Sequence, residues 1–268
     1  MMEVVNHLPE DLYLECDEFL AFIGIYDDEQ RFLNYKKFIE KMNIKNKVCI
    51  EAGAGFGVFT ELMLKYGAKK VYAVEKNRFM VNILKKKFSG DKRVVVVDKR
   101  IEEFEPDEDI DFLLHDFFGI MLYDESLESL EHLRFTPKLL FPDSGRLMFS
   151  VIDADSVCDE TITKDVLQEL KGVLVSDLFM VDKDFLKRLN GKEVLFWDWR
   201  KGLRGGEADI SSFSGDLLVF WIEILHHGEL ICRSEECVNW PLVWTPRAGD
   251  KFKLEFNGES YVRFKWLK

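Results

Sequence analysis

No stretch of this chain approaches about 18 consecutive apolar residues, so nothing in it reads as a membrane-spanning helix. The start, Met1-Met-Glu-Val-Val-Asn-His7, has no basic segment followed by an apolar one, so no secretion signal is expected. Cysteine is sparse: Cys16, Cys49, Cys158, Cys232 and Cys237 are odd in number and scattered, without the paired spacing of a zinc site. Reduced thiols and a cytoplasmic setting are the expectation. Of the five histidines, His226 and His227 are adjacent. Neighbours on a strand point to opposite faces, so no metal site is expected there. Positive charge is also short, with 37 Lys and Arg against 49 Asp and Glu and a net charge of −12. That balance disfavours duplex nucleic acid, which calls for a basic surface, and favours basic proteins or peptides as partners. The runs at Lys65–Lys70 and Lys85–Lys87 read as solvated faces.

What is present is a globular composition, 47% hydrophobic and 13% aromatic, in 268 residues, enough for one large or two modest cores. The most informative stretch is Val48-Cys-Ile-Glu-Ala-Gly-Ala-Gly-Phe-Gly57, followed by Val71-Tyr-Ala-Val-Glu75. Each is an apolar run with a carboxylate near its end. The first breaks into Gly53, Gly55 and Gly57 before a helical segment, the opening β-α-β unit of a doubly wound sheet. Glycines allow the sharp turn and close approach of a ligand. Glu75, ending the second strand, suits two ribose hydroxyls. The dinucleotide fingerprint is G-x-G-x-x-G, whereas this chain has G-x-G-x-G behind Glu51. A pyrophosphate calls for a helix N-terminus free of negative charge, and Glu51 suits a cationic or amine-bearing ligand better. An unliganded structural turn is the other reading. The E-x-G-x-G-x-G arrangement resembles motif I of S-adenosylmethionine-dependent methyltransferases, and S-adenosylmethionine carries a sulfonium, an ammonium and no phosphate.

Periodicity predicts a helix over 27–42, strand Val48–Glu51, helix Val58–Tyr66, strand Lys70–Glu75 and helix Arg78–Phe88. Strands at Val94–Val97, read as buried on both faces, and at Ile110–Leu114 follow. Leu127–Leu133 reads as a helix and Arg146–Ile152 as a further strand. Strands alternating with helices imply a parallel sheet. After about Asp153 the texture changes to short strands punctuated by Gly and Pro: Asp216–Leu225, Leu230–Arg233, Asn239–Thr245, Lys251–Phe256 and Tyr261–Trp266. The expected fold is α/β: a doubly wound Rossmann-like methyltransferase domain with an N-terminal helix over residues 1–152, then a mostly antiparallel, barrel-like β domain over 153–268.

The strand Ile110–Leu114 delivers His115-Asp-Phe-Phe-Gly-Ile-Met-Leu-Tyr-Asp-Glu125 to the edge where doubly wound sheets bind cofactors. Asp116 and Glu125 read either as surface acids or, if the loop folds back, as paired carboxylates. A pair of carboxylates fixes the plane of a guanidinium and aims a nitrogen lone pair at a methyl group. Asp116-Phe-Phe-Gly-Ile-Met-Leu-Tyr-Asp-Glu-Ser126 is similar to the double-acid hairpin of the protein arginine methyltransferases, S-E-W-M-G-Y-x-L-x-x-E-S. Tyr26-Asp-Asp-Glu-Gln-Arg31 with Tyr35 resembles that family's M-L-x-D-x-x-R-x-x-x-Y helix. Arg100-Ile-Glu-Glu103 resembles its K-V-E-E segment, Leu140-Phe-Pro-Asp143 its F-P-D turn, and Cys237-Val-Asn-Trp-Pro241 its T-H-W loop.

The resemblance implies S-adenosylmethionine as cofactor, with Arg31 on its carboxylate, Glu51, Gly53, Gly55 and Gly57 at the turn, and Glu75 on the ribose. It places Ile101 and Glu102 at the adenine, Asp116 and Glu125 as catalytic acids orienting the acceptor, and Asn239 and Trp240 on the substrate side. The departures are Asp116 for the hairpin's first Glu, Phe117 for its Trp and Asn239 for the T-H-W His; Tyr13 substitutes poorly for the upstream aromatic signature. The expected function is N-methylation of a protein arginine or similar cationic nitrogen. The alternatives are a methyltransferase acting on RNA or a small molecule, or an inactive protein that binds a cofactor or partner. Oligomeric state stays open.

Overall fold

A computed structural model describes residues 19–20, 22–256 and 262–267; Tyr13, Cys16 and Tyr261 lie outside them. The chain divides into two compact units, residues up to Asp116 with Leu133–Phe141, and Phe117–His132 with Pro142 onward. Among the described residues no helix is long and apolar enough to cross a membrane.

In the first unit, helix α1 (Glu29–Lys41) is capped by Asp28, whose Oδ1 accepts the Arg31 N–H at 3.0 Å. A cap of this kind contributes about 1 kcal/mol. Strands β1 (Val48–Ala52), β2 (Lys70–Glu75), β3 (Val94–Asp98), β4 (Phe112–His115) and β5 (Leu139–Phe141) form a parallel sheet in the order β3-β2-β1-β4-β5. Helices α2 (Val58–Lys65) and α3 (Arg78–Lys87) link the first three strands. β1 and β4 are buried along their whole length because they sit inside the sheet. The β-branched run Val94–Val97 was expected to be buried on both faces. It is instead an edge strand of mixed burial, with Val95 exposed, because no strand follows it in the order. Tyr35 and Ile39 on α1 are fully buried, and Tyr35 packs its ring on Phe59 and edge-on to Phe141. The segment expected as a helix at Leu127–Leu133 is a 3-10 helix over Ser126–His132, in the second unit.

The second unit holds β6 (Ser144–Ile152), β7 (Val175–Ser176), β8 (Lys192–Asp198), β9 (Gly202–Gly205), β10 (Glu207–Asp209), β11 (Leu217–His226), β12 (Glu229–Arg233), β13 (Val243–Pro246), β14 (Lys251–Phe256) and β15 (Val262–Leu267). One antiparallel sheet runs β7-β13-β11-β6-β8-β9 with β12 added to β11, and a second runs β10-β14-β15. The residues Arg146–Ile152, expected in the parallel sheet, therefore belong to an antiparallel one, paired with β11 and β8. Around Trp244 and Trp221 the apolar faces of β11 and β13 pack with Phe179, Phe185 and Leu167.

Reduced thiols throughout were expected. The structure joins Cys232 and Cys237 in a disulfide, with Cα atoms 6.3 Å apart and both residues buried. A tight turn at 234–237 brings these scattered cysteines together, with Ser234 bridged to Cys237. Cys49 and Cys158 are free thiols.

Candidate active site

In a parallel sheet the carboxyl ends of the strands share one edge. In the first unit that edge carries the turn 53–57 after β1, Glu75 ending β2, the 3-10 helix Ile101–Glu103 after β3, and Asp116 after β4. The register sets Ala52 beside Val74 and His115, and Glu75 beside Asp98. The sequence-predicted residues of this unit thus gather on one side of one sheet.

All three turn glycines adopt positive φ, 67° at Gly53, 49° at Gly55 and 70° at Gly57, a conformation that costs other residues about 1–2 kcal/mol. Gly55 also has no room for a side chain, since a Cβ there would lie 2.5 Å from the Tyr26 hydroxyl. Tyr26 lies on the turn, donating to the Ala54 carbonyl at 3.3 Å and accepting the Phe56 N–H at 3.1 Å. Nothing in the sequence pattern marks Tyr26 for this position.

Glu75 is buried and spans the turn: Oε2 accepts the Gly55 N–H at 2.9 Å and Oε1 the Asn77 N–H at 2.7 Å. Glu51 serves the start of α2, accepting Phe59 N–H at 3.2 Å, Thr60 N–H at 2.6 Å and the Thr60 hydroxyl at 2.5 Å. Burial pushes Glu51 up to about 7 against the pull of those hydrogen bonds. The carboxylate therefore acts on the helix N-terminus, an anion-favouring position. Ile101 is buried, and Glu102 pairs with Arg100.

Arg31, Tyr35 and Asp116 meet. The Arg31 guanidinium forms an ion pair with Asp116 Oδ2, and the Tyr35 hydroxyl donates to Asp116 Oδ1 at 2.8 Å. The R-x-x-x-Y spacing explains this, because positions i and i+4 share one helix face. The side chains of Arg31 and Asp116 are 11% and 15% exposed, so the pair is screened little by water. Burial raises the Asp116 pKa, and the Arg31 charge and the Tyr35 hydrogen bond oppose it.

The other predicted residues belong to the second unit. Glu125 is exposed, at the end of a loop closed by the Gly119–Leu122 bridge. Its neighbour Asp124 turns inward and accepts the Met121 N–H at 2.8 Å, and burial raises its pKa. Trp240 is buried, and its indole donates to the Phe118 carbonyl at 2.9 Å, tying the loop that carries Asn239 to the acidic hairpin. Asn239 is half-buried.

Residues 27–194 match the sequence model of the family described as ribosomal RNA adenine dimethylase. The chain belongs to this methyltransferase family. The family member is also protein arginine methyltransferase-like. It is 26% identical over 221 residues to a probable protein arginine N-methyltransferase 6 of Arabidopsis thaliana, covering 77% of the chain and 46% of that protein. It is 25% identical over 186 residues to the histone-arginine methyltransferase CARMER of Drosophila grimshawi, covering 61% of the chain and 34% of that protein. The chain thus spans about half or less of the length of these curated relatives. Its fold is that of solved arginine methyltransferases. A PRMT6 structure described with SAH superposes with a TM-score of 0.66 at 11% identity, over 90% of this chain and 97% of that one. The Trypanosoma brucei PRMT1 enzyme-prozyme heterotetrameric complex with AdoHcy superposes at 0.63 with 14% identity, over 87% and 86%. The family member thus has a Rossmann-like methyltransferase unit and a mostly antiparallel β unit.

Proposed function

We propose that this family member transfers a methyl group from S-adenosylmethionine to a guanidinium or similar cationic nitrogen of a basic protein or peptide. The observation that carries the reading is the Arg31–Asp116–Tyr35 cluster, on the sheet edge that also holds the glycine turn and Glu75. The residues present fit the cofactor. A positive guanidinium suits its carboxylate, a buried carboxylate on the second strand suits ribose hydroxyls, and a turn with glycine at every second position admits close approach of the backbone. When bound, S-adenosylmethionine supplies a methyl group already activated by its sulfonium.

The chain's own work is alignment and charge placement. Arg31 holds Asp116 in orientation through their ion pair, and its guanidinium is the group we assign to the amino-acid carboxylate of the cofactor. Gly53, Gly55 and Gly57 line the turn, Glu75 takes the ribose, and Ile101 and Glu102 take the adenine. Glu51 contributes by fixing α2 behind the turn. Asp116 and Glu125 are the acids we assign to the acceptor, with Asn239 and Trp240 on the substrate side. The negative charge of −12 supports a basic polypeptide as acceptor.

The match to the ribosomal RNA adenine dimethylase family favours a second reading, in which the acceptor is an adenine nitrogen of RNA. Labelled-methyl transfer decides between them. An Arg-Gly-rich peptide and a structured ribosomal RNA fragment are offered in parallel, with Glu125→Gln as the control. The proposal expects label in the peptide and single-turnover transfer abolished in Glu125→Gln, with cofactor affinity little changed. Label in the RNA alone, or an unaltered rate in the variant, contradicts it.

A further inference from the structure

The antiparallel register of β6 and β11 pairs Ser144 with Leu225. One step further it sets Asp143 opposite His226, at the hairpin that joins β11 to β12. That hairpin has a two-residue turn, His227-Gly228, with φ of 50° and 80°. Two successive positive-φ residues make a turn of the type that Asn-Gly, Asp-Gly or Gly-Gly ordinarily fills. A histidine stands at its first position instead. The left-handed backbone also cancels the alternation that would send neighbouring side chains to opposite faces. The rings of His226 and His227 come together, with centroids 4.1 Å apart.

Both imidazoles face Asp143. Its Oδ2 lies 3.4 Å from His226 Nδ1 and 2.8 Å from His227 Nδ1, and one ligand atom from each of the three residues falls within 4.8 Å of the others. Tetrahedral zinc with bonds of about 2.0–2.1 Å sets its donors roughly 3.3 Å apart. The two carboxylate–imidazole spacings already lie within about half an ångström of that value, and the remaining spacing, at most 4.8 Å, closes to it by side-chain rotation of up to about 1.5 Å. The carboxylate is already aimed, since its oxygens accept the His227 N–H at 3.1 Å and Oδ1 accepts the Ser144 hydroxyl at 2.9 Å. Such secondary hydrogen bonds orient ligands in metal sites. His226 and Asp143 are largely enclosed, at 7% and 14% exposure, while His227 at 70% leaves the site open to an entering ion.

We propose that Asp143, His226 and His227 form a binding site for a divalent transition metal ion, zinc in the first instance, that clasps the β11–β12 turn to the residue preceding β6. Two imidazoles and one carboxylate select this class over magnesium or calcium, which take oxygen donors.

The test uses the full chain, stripped with a chelator and titrated with Zn2+ against a chromophoric competitor, with Co2+ absorption reporting the ligand field. Asp143→Asn removes the anionic ligand with little change of shape. His227→Asn suits the left-handed turn while removing an imidazole. The proposal expects about one equivalent bound by the parent chain and a rise in its thermal midpoint with Zn2+. It expects affinity at least about tenfold weaker in either variant. Absence of binding, or affinity and Co2+ spectrum unchanged in both variants, overturns it.

Discussion

Glu51 and Asp116 are both carboxylates enclosed by protein, and their surroundings assign them different tasks. Glu51 is capped from three directions by the start of α2. Its pKa is pushed from 4.5 to about 7 by burial. A carboxyl held above its unfolded value stabilises the fold while it is protonated. That contribution is full below pH 4.5 and is lost as pH rises through about 7. A shift of this size corresponds to something on the order of 3 kcal/mol. Glu51→Gln should therefore flatten the fall in urea midpoint that the parent chain shows between pH 5 and 8; an identical pH profile in the two proteins would remove Glu51 as the cause. Asp116 is held by a cation and a hydroxyl. Asp116→Asn leaves the Arg31 charge without its counter-ion, and breaking such an enclosed pair costs about 3 kcal/mol. Chemical denaturation should show that loss, while affinity for S-adenosylhomocysteine stays the same or rises, because Arg31 is released from Asp116.

The glycine turn and the helix behind it act as one element. Gly57 is the N-cap of α2 at a φ of 70°, and a Cβ there would lie 2.6 Å from Phe88 and 2.8 Å from Leu84. Gly57→Ala combines left-handed strain with overpacking, an expected loss of about 2–4 kcal/mol that a thermal melt measures. This element was legible in the sequence, because left-handed turns leave glycines and a parallel strand leaves an apolar run. The convergence of Arg31 and Tyr35 on Asp116 was half legible: the spacing put two side chains on one face, while their partner lies 81 residues from Tyr35. β6 was misplaced, since an apolar run gives no sign of whether its neighbour is parallel or antiparallel. Its partner β11 lies some 70 residues on. β5 and the β8–β9 hairpin were missed for local reasons. β5 has three residues and is followed by Pro142, and β9 both begins and ends in glycine. The His226–His227 pair misled because alternation holds only while the backbone stays extended, and φ at His227 is 50°.

At the scale of the molecule, the parallel sheet with its glycine turn and terminal carboxylate and the net charge of −12 support the proposed transfer from an adenosyl donor to a cationic acceptor. The two acids of the hairpin motif were read from a sequence pattern alone, because spacing does not say whether residues nine apart face a cavity or solvent. The proposed function rests on the turn between β1 and α2, with Glu75, holding the donor. Calorimetric titration of the full chain with S-adenosylhomocysteine tests it most directly, with Glu75→Ala alongside. About one equivalent should bind, with affinity at least about tenfold weaker in the variant, roughly 1.4 kcal/mol or more. Absence of binding to the parent chain, or equal affinity in the two proteins, would contradict it.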